Sequence, residues 1–173
     1  VGSEMSIRDR KVCNLSKGML SMLTVIIGLA SKAEITILDE PAAGLDVIVR
    51  EEFYKLIIDE QQENGRTFII STHIIEEAAN VFEEVIILKD KCVYLKENTV
   101  ELLDKCRYVS GLEEDVKNAV DGCKIINEEH IGRSYAVTVM QDGDGKIKAV
   151  QHVTVQSVSL QNLFIAICGQ SNM

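Results

Sequence analysis

Apolar residues recur at helical spacing early in the chain. Four of them fall every three or four residues and predict one inner face: Leu20, Leu23, Ile27 and Ala30. A helix is therefore expected from a cap at Asn14 or Ser16 to about Lys32. The apolar run from Met19 to Ala30 is shorter than the roughly 20 residues that span a bilayer, so a buried helix is predicted.

Short apolar runs then alternate with amphipathic segments. Ile35 to Leu38 and Thr67 to Ser71 are rich in β-branched residues and predict buried parallel strands. A helix is expected between them, from Asp46 to about Gln62, and another helix after His73. The inner face of the helix from Asp46 is expected to carry Phe53, Leu56 and Ile57. This order of elements predicts an α/β fold with a partial parallel sheet.

The pattern changes further along the chain. Strands are expected at 85–88 and 92–95, followed by a helix at 99–105. After Tyr108 the pattern predicts a small α+β segment. Its expected elements are a short strand at Tyr108, a helix at 113–120, strands at 124–127 and 135–140, a turn at 142–145, a segment at 153–155 and a helix at 160–167. The expected divisions are a cloning remnant at 1–4, a first domain at 5–106 and an accessory α+β domain at 107–173.

Composition narrows the classes of function. The chain is 46% hydrophobic and 26% charged, which is typical of a folded globular protein. Its net charge of −9 disfavours a general phosphate-backbone binder, so no nucleic-acid partner is expected. The cysteines form no CxxC pair and are expected to be free, mostly buried thiols in a reducing cytoplasm: Cys13, Cys92, Cys106, Cys123 and Cys168.

Two adjacent acids end the first predicted strand. Ligands bind where parallel strands end, and Asp39 beside Glu40 would repel unless a cation or a proton reconciled them. In a nucleotide site Mg²⁺ does so, with Asp39 assigned to the metal and Glu40 to the attacking water as general base. The alternative is an acid pair that caps the following helix.

His73 ends the second predicted strand. A histidine at this edge reaches the same crevice, where it can hydrogen-bond a γ-phosphate and hold the attacking water in line. A structural capping role is the alternative. Its position one strand after Asp39 and Glu40 favours the catalytic interpretation.

The start of the first helix has the features of an anion site. Unpaired backbone N–H groups and the helix dipole favour a phosphate there. Ser16 adds a hydroxyl, Lys17 adds positive charge and Gly18 permits close backbone approach. Simple helix capping explains the same residues.

Four motifs in order make the sequence similar to a known family. The segments LSKGM, ITILDEP, AGLD and STH resemble the signature, Walker B, D-loop and switch-histidine motifs of ABC ATPases. The resemblance covers about Cys13 to Leu95 and implies an ATP-binding subunit that uses ATP and Mg²⁺. Within the family the chain resembles a bacterial exporter-like branch, some of whose members carry a lysine in the signature.

The resemblance also implies roles across a dimer. Ser16 and Gly18 would contact the γ-phosphate of ATP held by the opposite subunit, and Asp46 would communicate across that interface. The family pattern often reads LSGGQ, so Lys17 and Met19 are departures, and Lys17 is expected to compensate for the lost polar contact. The implied partners are a second ATP-binding subunit and an integral membrane permease that holds the subunit at the inner face of the cell membrane.

One family motif is missing from the sequence. No GxxxxGK followed by Ser or Thr occurs, and in the family this Walker A loop precedes the signature. Without its N–H donors and lysine, the chain alone is expected neither to bind ATP tightly nor to hydrolyse it. Apolar sheet edges are expected to be exposed. The alternatives are a non-transport ABC ATPase and a regulatory or dimerisation module in the α+β segment.

Overall fold

The computed structural model describes residues 12–132, 134–141, 143 and 145–169. The expected cloning remnant at 1–4 lies outside the described residues, as do Asp142 and Asp144 of the expected turn. The contacts divide the chain into two compact units, Val1–Ile74 and Ile75–Met173.

The first unit is a two-stranded parallel sheet with helices. Its strands β1 and β2 pair in register from Ile35 opposite Thr67 to Asp39 opposite Ser71. The elements are a short 3₁₀ helix at Val12–Asn14, α1 at Lys17–Ala30, β1 at Ile35–Asp39, α2 at Val47–Asn64 and β2 at Thr67–Ser71. The predicted strand–helix–strand order is confirmed.

The inner face of α1 differs from the prediction. Val25 is its buried residue, whereas Leu20 and Ile27 are 46% and 61% exposed. A methyl group at Gly28 would lie 3.4 Å from side-chain atoms of Thr36 and Leu38, so α1 rests on β1 through Val25 and Gly28. The expectation of a buried helix is wrong, because only this narrow stripe meets the sheet.

Strand β1 is covered on one face. Thr36 and Leu38 are buried, while Ile35 and Ile37 are 61% and 73% exposed. Side chains alternate across a strand, so the exposed isoleucines share the face opposite α1. The predicted buried strand is half correct.

Helix α2 buries Phe53, Tyr54 and Ile57, whereas Leu56 is 48% exposed. Successive residues turn by about 100°, which places Leu56 outside the arc that the three buried residues share. Phe53 and Ile57 are correctly predicted to face inward, and Leu56 is not.

The guanidinium of Arg66 joins the parts of the first unit. Arg66 is 4% exposed and precedes β2. Its donors reach five oxygens at 2.8 to 3.1 Å: Gly28 O, Leu29 O, Ala33 O, Thr36 Oγ1 and Glu60 Oε2. Two of these carbonyls lie in the last turn of α1, where the regular helical hydrogen bonds end. One side chain therefore caps α1 and ties it to β1 and α2.

The second unit contains a hairpin and a four-stranded antiparallel sheet. The hairpin pairs β3 with β4, and the sheet has the order β6-β7-β5-β8. The elements are α3 at Ile75–Ala78, β3 at Glu84–Lys89, β4 at Cys92–Asn98, α4 at Thr99–Lys105, β5 at Cys106–Gly111, α5 at Glu113–Ala119, β6 at Lys124–Ile131, β7 at Ser134–Met140, β8 at Thr154–Ser157 and α6 at Leu160–Cys168. The mixed α/β architecture is confirmed.

Two apolar clusters form the core of the second unit. One joins α4, β5, β7 and α6: Ile87, Leu102, Cys106, Met140, Val158, Leu160, Leu163 and Ile167. The other packs α5 on the opposite sheet face: Val109, Val116, Val120, Tyr135, Val137 and Val139. The chain is divided into its two compact units between Ile74 and Ile75. The sequence placed its domain boundary at 106–107 instead, and the first cluster contains residues on both sides of that point. That family boundary stays a prediction.

The thiols are only partly buried. Cys106 is buried, and burial, the largest cause, raises its pKa to about 11. Cys123 and Cys168 are half-buried and Cys92 is exposed, and all four are free. In the part of the chain that the structure describes, no helix is both long and apolar enough to cross a membrane.

Replacing the buried guanidinium should destabilise the first unit. Arg66→Met would remove all five hydrogen bonds of the buried guanidinium, and we expect a loss of roughly 1.5 to 3 kcal/mol in the free energy of unfolding. Urea denaturation followed by far-ultraviolet circular dichroism measures this loss. The exposed Lys55→Met on α2 is the control, expected within about 0.5 kcal/mol of the parent. Equal stability of both variants would contradict the assigned role of Arg66.

Tyr135 should make stability fall at alkaline pH. Burial first, and then the 2.6 Å hydrogen bond that its hydroxyl donates to Glu128, raise its pKa from 10.0 to about 12. The folded state favours the protonated phenol, so this contribution is complete below pH 10 and is lost as the pH rises toward about 12. Unfolding in urea at stepped pH should show a shallower alkaline loss for Tyr135→Phe. An unchanged profile would contradict the assignment.

Candidate functional site

The carboxyl ends of β1 and β2 bring two polar residues together. Their parallel register sets Asp39 opposite Ser71. The Ser71 hydroxyl donates a hydrogen bond to Asp39 Oδ1, and the backbone N–H of Glu40 donates to Ser71 O at 2.9 Å. The acids therefore lie at a strand edge, as the sequence predicts, and Asp39 is exposed there.

Glu40 has an uncommon backbone conformation. Its φ of 46° lies in the left-handed region, which costs a non-glycine residue on the order of 1 kcal/mol or more. The turn is held because Ala43 N donates to Glu40 O at 3.1 Å and because Pro41 and Ala42 are buried. This turn fixes the direction in which the Glu40 side chain leaves the strand.

His73 lies beside Glu40. Its Nδ1 is 2.8 Å from Glu40 Oε1, and the two side chains are 74% and 37% exposed. Glu40 Oε2 is buried and has no hydrogen-bond partner among the residues that the structure describes. One carboxylate oxygen thus contacts the imidazole, and the other is an acceptor still able to take a proton donor.

The oxygen ligands at this edge suit Mg²⁺ that is shared with a phosphate. Magnesium takes one or two carboxylates and completes its octahedron with water and phosphate oxygens. Asp39 and Ser71 supply oxygens of that kind. Within the described ranges, no group of three or more His, Cys, Asp or Glu residues could hold a metal. The residues therefore fit a nucleotide-bound magnesium rather than an all-protein metal site.

The start of α1 shows Ser16 as a helix cap. The Ser16 hydroxyl accepts a hydrogen bond from Met19 N at 3.3 Å, and Lys17 is exposed at the first helical position. The capping alternative accounts for the hydroxyl contact that is present. Phosphate contacts by Ser16 and Lys17 stay a prediction.

Gly18 is required by a close backbone approach. A methyl group at Gly18 would lie 2.5 Å from Gly44 O, and Gly44 itself has a φ of 78°. Ser21 Oγ donates to Ala43 O at 3.2 Å beside it. The first turns of α1 and the turn at 43–44 are therefore in direct contact, which the sequence did not reveal.

Asp46 caps the second helix. It precedes α2, and its carboxylate accepts from Val49 N at 3.0 Å. This contact gives Asp46 a structural role, so its communication across a dimer stays a prediction. The seven predicted site residues all lie in the first unit: Asp39, Glu40 and His73 at the strand ends, and Ser16, Lys17, Gly18 and Asp46 around α1 and the following turn.

Sequence reasoning missed Ser71 and Gly44. Ser71 could have been found from the parallel pairing of two five-residue strands, which sets the last residue of one beside the last residue of the other. The sequence marks Gly44 only as part of the AGLD motif, because a single sequence does not show which backbone another glycine contacts.

Known sequences similar to this chain are ATP-binding proteins. Residues 8–79 match the family described as "AAA domain, putative AbiEii toxin, Type IV TA system". The energy-coupling factor transporter ATP-binding protein EcfA2 of Bacillus licheniformis is 28% identical over 87% of this chain and 52% of its own length. The uncharacterized ABC transporter ATP-binding protein MJ1023 of Methanocaldococcus jannaschii is 33% identical over 90% of this chain and 54% of its own length.

Solved structures with a similar fold include an ABC transporter cassette. The dimeric structure of MJ0796, an ABC transporter cassette, matches with a TM-score of 0.51 and 30% identity over 56% of this chain and 42% of that chain. The same cassette in a post-hydrolysis state with ADP and Pi matches equally. The chain spans about half the length of the curated relatives it matches. The exporter-like placement stays a prediction.

These similarities agree with the ordered motifs and with the parallel strands that carry Asp39, Glu40 and His73. Sequence and fold together support a relationship to the ABC ATPases.

Proposed function

We propose that this chain supplies the hydrolytic part of an ATP-binding subunit that energises an ABC transporter. The observation that carries the proposal is the contact of Glu40 with His73 at the ends of adjacent parallel strands. Relatives that are ABC transporter ATP-binding proteins support it.

In this proposal Glu40 is the general base. Its Oε1 contacts His73 Nδ1 at 2.8 Å. The carboxylate would take the proton of the attacking water, and the contact with His73 would orient it. Because Nδ1 faces Glu40, Nε2 is the nitrogen that remains for the γ-phosphate.

Asp39 and Ser71 would hold the magnesium. Their hydrogen bond fixes both oxygens at the end of the sheet. When bound with ATP, Mg²⁺ would neutralise charge that develops on the phosphate oxygens. The exposed position of Asp39 leaves room for the nucleotide that would complete the coordination.

The signature residues would act on a second subunit. Ser16, Lys17 and Gly18 would face the γ-phosphate of ATP held by the partner, and Asp46 would lie at the same interface. A dimeric structure is the form in which the similar MJ0796 cassette was solved. The permease would be a separate membrane protein, which would keep the subunit at the inner face of the membrane.

The whole protein's activity needs a phosphate-binding loop that these 173 residues lack. That loop supplies most N–H donors and the lysine for the β- and γ-phosphates. The chain by itself would therefore neither bind ATP tightly nor turn it over.

A non-transport ABC ATPase is the second candidate. It is favoured by the match of residues 8–79 to a family described with a toxin system. Copurification with a membrane permease after detergent extraction separates the two: it is expected for the transporter subunit and not for the alternative.

Removing the Glu40 charge should stop hydrolysis and spare nucleotide binding. Glu40→Gln is made in the protein that carries all residues its gene encodes. It is expected to lower ATP turnover by at least about 100-fold, because proton transfer from water is lost. Phosphate release measures turnover, and equilibrium dialysis measures ATP binding.

Glu34→Gln is the matched control for this test, since it makes the same change at the exposed opposite end of β1. We expect turnover like that of the parent. Turnover that survives Glu40→Gln, or that falls equally in both variants, would overturn the proposed role. The 173-residue chain assayed alone should release no phosphate above background.

A further inference from the structure

The four-stranded sheet of the second unit has two different faces. The face toward α5 is apolar, with Val109, Val137 and Val139 fully buried. The face toward α6 is apolar at one end, where Cys106 and Met140 pack with residues of α6. Beyond that end, the face toward α6 becomes polar.

One row of polar residues crosses all four strands. Thr138 on β7 pairs with Asn127 on β6 and with Tyr108 on β5, and Tyr108 pairs with Gln156 on β8. Directly paired residues in antiparallel strands share a face. Thr138 is 6% exposed, so the row reaches into the interior.

An acid joins this row. Glu129 lies two residues after Asn127 on β6, and Tyr108 Oη donates to Glu129 Oε1 at 2.9 Å. Burial, and then this hydrogen bond, raise the pKa of Tyr108. The phenol is thus held protonated beside the carboxylate.

A cavity of about 310 Å³ lies between the polar row and the segment that contains α6. Its helix side is formed by Val158, Asn162, Ile165 and Ala166. This volume is at the lower end of small-molecule sites, which span roughly 300 to 1,000 Å³. The cavity therefore suits a compact ligand.

The lining has a definite chemical character. Glu129 is the charged residue among those that line the cavity, and the polar remainder are hydroxyl and amide side chains. Within the row Thr138 is buried, Tyr108 and Asn127 are half-buried and Gln156 is exposed, so the cavity runs from the interior to the surface. On the opposite face Val109, Val137 and Val139 are buried against α5, whereas the residues of the polar row line the cavity.

We propose that this cavity binds a small organic cation that carries a primary ammonium group. The ammonium donates to Glu129 and to amide or hydroxyl oxygens of the row, while a short alkyl stem lies against Val158, Ile165 and Ala166. All residues that line the cavity belong to the second unit, whereas the proposed hydrolytic residues belong to the first unit.

The ligand class follows from donor counting. An ammonium has three N–H donors and no acceptor, and an ionised carboxylate has room for about four hydrogen bonds. Glu129 can therefore accept from Tyr108 and from the ligand together. An anion would meet the Glu129 charge without a basic residue in the lining. A metal ion lacks ligands, since the described part of the chain holds no cluster of three candidate side chains.

The sheet supplies a matched control. Tyr135 Oη donates to Glu128 on the face toward α5, as Tyr108 Oη donates to Glu129 on the face toward α6. Glu129→Gln and Glu128→Gln make the same change of charge on neighbouring residues of β6. Tyr108→Phe and Tyr135→Phe form a second matched pair.

Butylammonium, butan-1-ol and butanoate test the proposal on the whole chain, because they share one stem and differ in charge. Two-dimensional NMR titration should show saturable shifts of amides in β5, β6 and α6 with butylammonium alone. Glu129→Gln should weaken binding by about tenfold, and Tyr108→Phe should weaken it measurably. Glu128→Gln and Tyr135→Phe should bind as the parent does, with dispersed spectra confirming that each variant is folded.

Four outcomes would overturn the proposal. These are no saturable shift with butylammonium, equal shifts with all three probes, equal weakening by Glu129→Gln and Glu128→Gln, and saturation by magnesium or calcium chloride in place of butylammonium. Should Glu129→Gln fail to fold, the Tyr108→Phe and Tyr135→Phe pair replaces the glutamate pair. Equal binding of butylammonium by these two variants would then overturn the proposal.

Discussion

The buried guanidinium of Arg66 holds the first unit in the geometry that its chemistry needs. It satisfies carbonyls at the end of α1 and also bonds Thr36 and Glu60, so α1, β1 and α2 share one charged donor. Most other contacts are apolar and non-directional. Five directed hydrogen bonds fix how the helices sit on the strands, and through the strands they fix where Asp39 and Glu40 emerge.

The second constraint is the turn at Glu40. A left-handed residue at the end of a strand is unfavourable alone, and the neighbouring buried Pro41 and Ala42 keep it in place. The carboxylate consequently meets His73 without a flexible linker between strand and acid. The backbone therefore sets where the acid leaves the strand, and the contact with His73 orients its side chain.

Regular elements and the acid–histidine edge follow directly from the sequence. The strands at 35–39 and 67–71 are short and β-branched, so their type and parallel pairing were predictable. The same pairing predicts that the acids and the histidine lie at one edge of the sheet. Which helix faces are exposed was not predictable. Leu20, Ile27 and Leu56 look like core residues because a 3.6-residue period shows that a helix has an apolar side, but not which part meets a partner. The role of Arg66 was hidden for the same reason, since its acceptors lie about 30 to 40 residues away in sequence.

The contact of Gly18 with Gly44 has a mechanical meaning. Two backbones that touch without intervening side chains leave no compliant layer between them. A displacement at the head of α1 must then be passed to residues 43–46, and one at residues 43–46 must be passed back. Such a rigid joint makes the head of α1 and residues 43–46 move as one body.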